Sequence, residues 1–275
     1  MIKRLLSLII SVTCVTALLA YDLNDDGNVN AGDISELYSA ILRADSNPIY
    51  DLNSDGNFNA GDISTLYSSI LSVSDNTIND NYEWVDLGLT SGTLWATMNI
   101  GARTPEEYGY YFAWGETTPK NYYDWDTYKW CVDNFNNLNK YCTDNRFGFV
   151  DNKTELDPED DAAYVNWGFN WRMPTDAQFD ELRSECYWLW TSINGVNGYL
   201  VSSKLNSASL FLPAAGDCFA SSVFSAESEG NYWSRTLYAG ETYNAYNLGF
   251  GSDHVGYSGC WNREKGYSIR AVRIP

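Results

Sequence analysis

The stretch Asp22–Leu42 reads DLNDDGNVNAGDISELYSAIL, and Asp51–Leu71 reads DLNSDGNFNAGDISTLYSSIL. The second copy starts 29 residues after the first. A repeat of this length marks two copies of one small structural unit, packed together because neither can bury its apolar face alone. After Asp33 the apolar residues are Ile34, Leu37, Tyr38, Ile41 and Leu42; after Asp62 they are Ile63, Leu66, Tyr67, Ile70 and Leu71. Both sets fall at i, i+3, i+4, i+7 and i+8, one face of a helix. Pro48, in the segment between the copies, argues against a long helix entering the second one.

Each copy opens with alternating acids and amides in the order of a calcium loop. Calcium takes oxygen ligands from positions 1, 3, 5, 7, 9 and 12 of a twelve-residue loop. Counted from Asp22, these are Asp22, Asn24, Asp26, Asn28, Asn30 and Asp33. Counted from Asp51, they are Asp51, Asn53, Asp55, Asn57, Asn59 and Asp62. Position 7 contributes its backbone carbonyl, and position 9 often acts through a water. Gly27 and Gly56 stand at position 6, where the loop turns sharply. Val29 and Phe58 at position 8 can join a small core between the loops. Two matches in step imply two calcium ions. Three clustered carboxylates per loop repel one another, and so short a pair of units rarely folds unaided, so metal binding becomes folding energy.

These loop-then-helix units lack the entering helix of a full EF-hand. Over residues 21–72 the arrangement resembles the type I dockerin module. That resemblance implies two units folded around two calcium ions and docking onto a cohesin. Loop positions 10 and 11 are Ala31-Gly32 and Ala60-Gly61, smaller than the often hydroxyl-bearing residues of well-known cellulosomal dockerins. The implied partner is therefore a cohesin-like protein or the chain's own second domain.

Residues 1–20 have the form of a secretory signal: Lys3 and Arg4, an apolar run from Leu5 to Leu19, and the small Ala20. The expectation is a secreted, extracellular or cell-surface protein without a membrane span in its mature form. The full chain carries −19, and loss of Lys3 and Arg4 takes this to −21. Such acidity excludes an electrostatic nucleic-acid binder. Beyond the leader there are five cysteines, Cys131, Cys142, Cys186, Cys218 and Cys260, an odd number without zinc-site spacing.

Residues 73–82 are polar and turn-rich, a linker. Residues 83–275 are long enough for a core of their own. Trp84–Leu87 and Thr93–Met98 read as strands, and so does Tyr108–Trp114. Thr104-Pro105-Glu106-Glu107 and Asp157-Pro158-Glu159 read as helix starts. Thr175 with Gln178 forms a capping box, and Phe179 and Leu182 mark a buried helix face. Leu210–Leu212, Tyr232–Ser234 and Ile269–Ile274 read as short strands. Few helices followed by many short strands make an α+β domain rich in loops.

WRMPTDAQFDEL from Trp171 and YSIRAVRIP at the end resemble the formylglycine-generating-enzyme-like branch of the C-type-lectin-like fold. VDLGLTSGTLWATMNIGA, EEYGYYFAWGET, FLPAAG and NYWSRT resemble the Fibrobacter major paralogous domain, a family of secreted proteins. These are scaffold motifs, so they imply fold more than activity. The oxidase branch holds copper with a cysteine pair near its C-terminus. Only Cys260 lies there in this chain, which argues against that chemistry and for a protein that is not an enzyme.

The one histidine, His254, sits in a Gly-rich turn and reads as an exposed loop residue. The pairs Glu106-Glu107 and Asp160-Asp161 sit at helix starts, where dipole and solvation account for them. Thr242–Lys265 is dense in Tyr, Asn, Ser, Asp and Gly, the vocabulary of recognition surfaces. It also resembles, loosely, the diversified region of retroelement-made variable proteins. Tyr243, Tyr246, Asn247, Asp253, Tyr257, Trp261 and Asn262 are the candidate ligand-binding residues, against the alternative that half of the rings are core. The expected function is a calcium-binding, non-catalytic binding or adhesion protein for an extracellular glycan or protein. The alternatives are a dockerin-borne component of polysaccharide degradation, with convergent carboxylates in a deep pocket, and a purely structural surface protein.

Overall fold

The computed structural model describes residues 23, 31–43, 45, 47–66 and 82–273, except for the side chains at 31, 32 and 257–259. The leader, most of the first calcium loop and the linker up to residue 81 lie outside the described residues. The chain divides into two units between Ile78 and Asn79.

In the first unit, helix α1 spans Ala31–Leu42 and residues 60–66 are helical. Between them Pro48–Tyr50 makes one 3-10 turn, with the Asn47 side chain accepting from Ile49 N–H. Proline at the first position costs nothing there, because its missing donor would be unpaired anyway. The core follows the repeat. Leu37 and Leu66, equivalent positions, are fully buried together with Ala40 and Tyr50. Leu23 and Leu52, Ile34 and Ile63, Ile41 and Phe58 pack around them. Phe58 thus joins the core as its loop position suggests. The apolar stripe is narrower than the helical periodicity implies: Tyr38 and Leu42 are 55% and 71% exposed. Among the described residues, the core seam of α1 is filled by positions 34, 37, 40 and 41. Tyr67, Ile70 and Leu71 lie outside the described residues.

The second unit is a mixed α/β domain of small antiparallel sheets. Strands β1 (Trp84–Asp86) and β2 (Leu94–Ala96) form a sheet that is closed by the last strand, β13 (Val272–Arg273). β3 (Cys131–Val132) and β4 (Asn134–Leu138) form a ribbon. Helices α2 (Ala162–Trp167) and α3 (Asp176–Glu185) follow. β5 (Cys186–Ile193), β6 (Val196–Ser203) and β7 (Ser209–Pro213) make a meander, and β8 (Asp217–Phe219) and β9 (Ser222–Phe224) a short hairpin. β10 (Glu229–Leu237), β11 (Asn244–Gly251) and β12 (His254–Asn262) form a second meander.

The capping box that opens α3 is present: Thr175 Oγ1 accepts from Gln178 N–H at 3.1 Å, and Gln178 Oε1 accepts from Thr175 N–H at 2.9 Å. Phe179 and Leu182 are buried, as their spacing requires. Asp157-Pro158-Glu159 yields a single 3-10 turn, Pro158–Asp160. Thr104-Pro105-Glu106-Glu107 does not start a helix; it is a turn with Glu107 N–H bonded to the Thr104 carbonyl at 3.3 Å. Tertiary bonds win there. The Tyr108 carbonyl is claimed by Asn99 Nδ2 at 2.9 Å, and Gly109 follows in a left-handed conformation, φ +72°, where a Cβ would strike the Ile100 carbonyl.

Tyr108–Trp114 forms no strand; its pairing reduces to a bridge between Phe112 and Tyr267. The closing strand is likewise shorter than Ile269–Ile274; only Val272–Arg273 pairs, and Ile274 lies outside the described residues. The signature residues hold the scaffold. Trp171 is fully buried, and Arg172 pairs with Val272 through two backbone bonds of 2.9 Å. Arg270 is also fully buried and donates to Asn99 Oδ1, the Ala96 carbonyl and the Phe211 carbonyl at 2.9, 3.1 and 2.9 Å. Burial pushes its guanidinium down to about 10.

Candidate functional site

The second calcium loop is built from alternating side-chain turns. Asn53 Oδ1 accepts from Asp55 N–H at 3.0 Å, Asp55 Oδ1 from Asn57 N–H at 2.8 Å, and Asn59 Oδ1 from Gly61 N–H at 2.7 Å. Each is an Asx turn, in which a short polar side chain bonds the backbone two residues on. Asp51 accepts from Asp55 and Gly56 N–H at 3.1 and 3.0 Å. Gly56 adopts φ +81°, the left-handed turn that position 6 needs. The Asn57 N–H holds the Asp55 carboxyl below its ordinary value.

Asp62 locks this loop to the helix behind it. Its carboxylate is fully buried and accepts from Leu52, Asn53 and Asn59 N–H at 2.9, 3.3 and 2.8 Å. The bond to Asn59 is also the return half of a helix cap, since Asn59 caps the helical run through Gly61 N–H. Asp33 is buried in the same way and accepts from Leu23 N–H at 2.7 Å. The donor set fits calcium: it is all oxygen, its odd positions are brought onto one loop, and its glycine turn is in place. Asp51, Asn53, Asp55, Asn59 and Asp62 would hold the ion with the Asn57 carbonyl. Asp22, Asn24, Asp26, Asn28 and Asn30 lie outside the described residues.

The family model described as "Dockerin type I domain" matches residues 20–71. Residues 20–71 are a type I dockerin domain. Dockerin domains of this type typically bind calcium, imply attachment to a cohesin and occur on extracellular or cell-surface proteins. Neither the curated proteins nor the solved structures gave a match to the chain. Among the described residues, no helix is long and apolar enough to cross a membrane.

The candidate residues of the second unit do not form one surface. Tyr243 is half-buried against the rings of Phe135 and Phe147, at 5.2 and 5.1 Å between centroids. Tyr246 packs edge-on against Tyr238. Asn247 is fully buried and donates to Asn231 Oδ1 at 3.2 Å, so it is a sheet-interior residue unavailable to a large ligand. Its place on β11, opposite Trp233, turns it inward. Asp253 and His254 are exposed at the β11–β12 turn and touch each other at 2.7 Å. The side chain of Tyr257 lies outside the described residues. Trp261 is 50% exposed, and Asn262 beside it is half-buried.

Asn262 lines a cleft of about 560 Å³, and the neighbouring Trp261 ring lies 5.0 Å from the Nζ of Lys265, another lining residue. Its other walls come from residues that the sequence gave no reason to group: Trp125, Phe219 and Phe224, with Asp217, Glu264 and Lys265. Backbone bridges bring the three segments together. Tyr123 and Ala220 exchange bonds of 2.9 and 2.8 Å, and Cys218 and Gly266 exchange bonds of 2.7 and 2.9 Å. Gly266 is required there, because a Cβ would lie 2.7 Å from the Tyr123 ring and 2.8 Å from Cys218 Cβ. Asp124 and Thr127 form a capping box around the 3-10 turn Trp125–Thr127, which fixes Trp125. The only sequence signal was an aromatic at each end of the six-residue run FASSVF, Phe219 to Phe224, which forms an exposed hairpin.

Charge inside the cleft is nearly balanced. Lys265 Nζ lies 3.5 Å from Asp217 Oδ2, 5.0 Å from the centroid of the Trp261 ring and 5.8 Å from that of Phe219. Glu264 is 2% exposed. Its Oε1 accepts from Asn262 Nδ2 at 3.4 Å, and its Oε2 has no hydrogen-bond partner among the described residues. Burial pushes the Glu264 carboxyl up to about 7.

Three other carboxylates, Asp157, Glu159 and Asp160, also converge. Lys140 occupies that site, 2.6 Å from both Asp157 and Asp160 and 3.8 Å from Glu159. Asp160 and Asp161 are buried, so solvation does not account for them. Ion pairs and the Tyr141 hydroxyl hold Asp160, and Asp161 caps α2 while accepting from Met173 N–H at 2.9 Å. The five cysteines among the described residues are free.

Proposed function

We propose that this chain is an extracellular, calcium-binding, non-catalytic binding protein. The dockerin attaches it to a cohesin-like partner through two calcium-filled loops. The second unit, of C-type-lectin-like kind, presents a ligand surface to an extracellular glycan or protein. The observation that carries this reading is the aromatic cleft beside Trp261, whose floor holds a buried carboxyl with an unpartnered oxygen. Buried polar groups in folded proteins are nearly always paired, and an exception in the wall of a cleft is a place where a water, an ion or a ligand can complete it. The test is an array of extracellular glycans and surface proteins, probed with the full chain in calcium and in chelator, beside a panel of cohesins. Cohesin capture that needs calcium, with a ligand signal weakened by Trp261→Ala, supports the reading. A signal unchanged by Trp261→Ala places the ligand elsewhere.

One observation favours a second reading, a component of polysaccharide degradation. Asp217 and Glu264 share the cleft, and Glu264 has a proton affinity suited to a general acid at neutral pH. Release of reducing ends from a polysaccharide, lost in Glu264→Gln, would establish it.

A further inference from the structure

We infer that the cleft between Trp125, Phe219, Phe224 and Glu264 is a subsite for one ring of an uncharged sugar, with Glu264 hydrogen-bonding a ring hydroxyl. The inference rests on the binding reading above and names its ligand class. It begins with size: about 560 Å³ falls within the range of small-molecule sites. The walls come next. Phe219 and Phe224 are 44% and 50% exposed, apolar faces left open to solvent at the mouth of a concave site. A pyranose ring offers a matching C–H face, and its burial against aromatic rings is favourable. The floor is polar and incomplete. Glu264 Oε2 is buried without a partner among the described residues, which is costly until a hydrogen-bonding group arrives. A hydroxyl serves whether the carboxyl is ionised or protonated, since it can donate or accept.

Charge removes the other ligand classes. A cationic ligand would meet the Lys265 ammonium, 5.8 Å from the Phe219 ring, with the Asp217 carboxylate already paired to that lysine. An anionic ligand would meet Asp217 and Glu264 in a chain of net charge −19. A neutral ring with an apolar face and a hydroxyl rim meets neither obstacle.

The experiment titrates the full calcium-loaded chain with uncharged oligosaccharides of glucose, mannose, galactose and xylose, followed by tryptophan fluorescence and calorimetry. Parallel titrations use uronic-acid and glucosamine oligosaccharides. Saturable binding of a neutral series is expected, weakened about tenfold or more by Phe219→Ala and by Glu264→Leu. Glu264→Leu removes a buried, half-satisfied acid, so its melting temperature should be unchanged or higher; weaker binding then cannot be misfolding. Tyr187→Ala, on exposed β5, should bind as the parent does. No neutral sugar bound, a charged series preferred, or binding that survives both cleft substitutions each overturns the inference. If a surface protein binds instead and Phe219→Ala abolishes it, the sugar assignment falls while the binding reading stands. If neither sugars nor proteins bind, both fall.

Discussion

The backbone N–H of Leu52 donates to the buried carboxylate of Asp62 at 2.9 Å, joining the first residues of the Asp51–Asp62 loop to its last position. Leu23 and Asp33 repeat the bond at 2.7 Å in the first copy. Each aspartate closes its loop from the helix side, where Leu37 and Leu66 are buried. Loop closure and core packing are thereby tied to the same residues.

Replacing Asp62 should therefore cost both. Asp62→Ala removes a calcium ligand and leaves three backbone donors without their acceptor. The loss should be roughly 3 kcal/mol or more in the stability of the first unit. Calorimetric titration of calcium should show one strong site in place of two. Two strong sites in the variant would contradict the assignment.

Chelation should loosen the first unit and leave the second folded. Asp51 and Asp55, brought onto one loop with Asp62, repel without a cation. Hydrogen exchange on the full chain should show slow exchange at the Leu52 and Asn59 amides in calcium and fast exchange in chelator. The amides of β11, in the second unit, should not change.

Glu264 should make the second unit less stable as pH rises. Its folded value, about 7, lies above the ordinary 4.5. The folded state therefore holds the proton more tightly than the unfolded chain. Stability from this group is full below pH 4.5 and is lost as pH rises through 7, by roughly 3 kcal/mol in all. Glu264→Gln has no such proton. Denaturant midpoints at pH 5 and pH 8 should differ less in the variant than in the parent.

Arg270 should be intolerant even of lysine. Its guanidinium bonds three separate segments, at Asn99, Ala96 and Phe211, from a fully buried position. An ammonium cannot reach all three acceptors in the same plane. Arg270→Lys should destabilise the second unit by about 3 kcal/mol or more, read as a lower denaturant midpoint.

Local signals in the sequence were reliable where local bonds decide the outcome. The Thr175–Gln178 box needs only residues three apart, and it forms. The loop of Asp51 to Asp62 is a run of two-residue turns, so its alternation is readable. Thr104-Pro105-Glu106-Glu107 carries the same kind of local signal, yet Asn99 captures the Tyr108 carbonyl and the chain turns away. Tyr38 fits the helical period, but too little protein covers α1 to bury it. In Thr242–Lys265 the composition pointed to recognition without separating Asn247, sealed inside a sheet, from Trp261 at the surface.

The sequence alone determined the Asp51–Asp62 loop, its glycine turn at Gly56 and the helical runs at 31–42 and 60–66, because those are contacts between residues a few positions apart. The cleft at Glu264 was decided by the tertiary structure. Its walls lie at residues 125, 217–224 and 262–265, joined by backbone bridges between segments far apart in the chain. Burial, which sets the Glu264 carboxyl near 7 and leaves one of its oxygens unpaired, is a property of that assembly and of no single stretch.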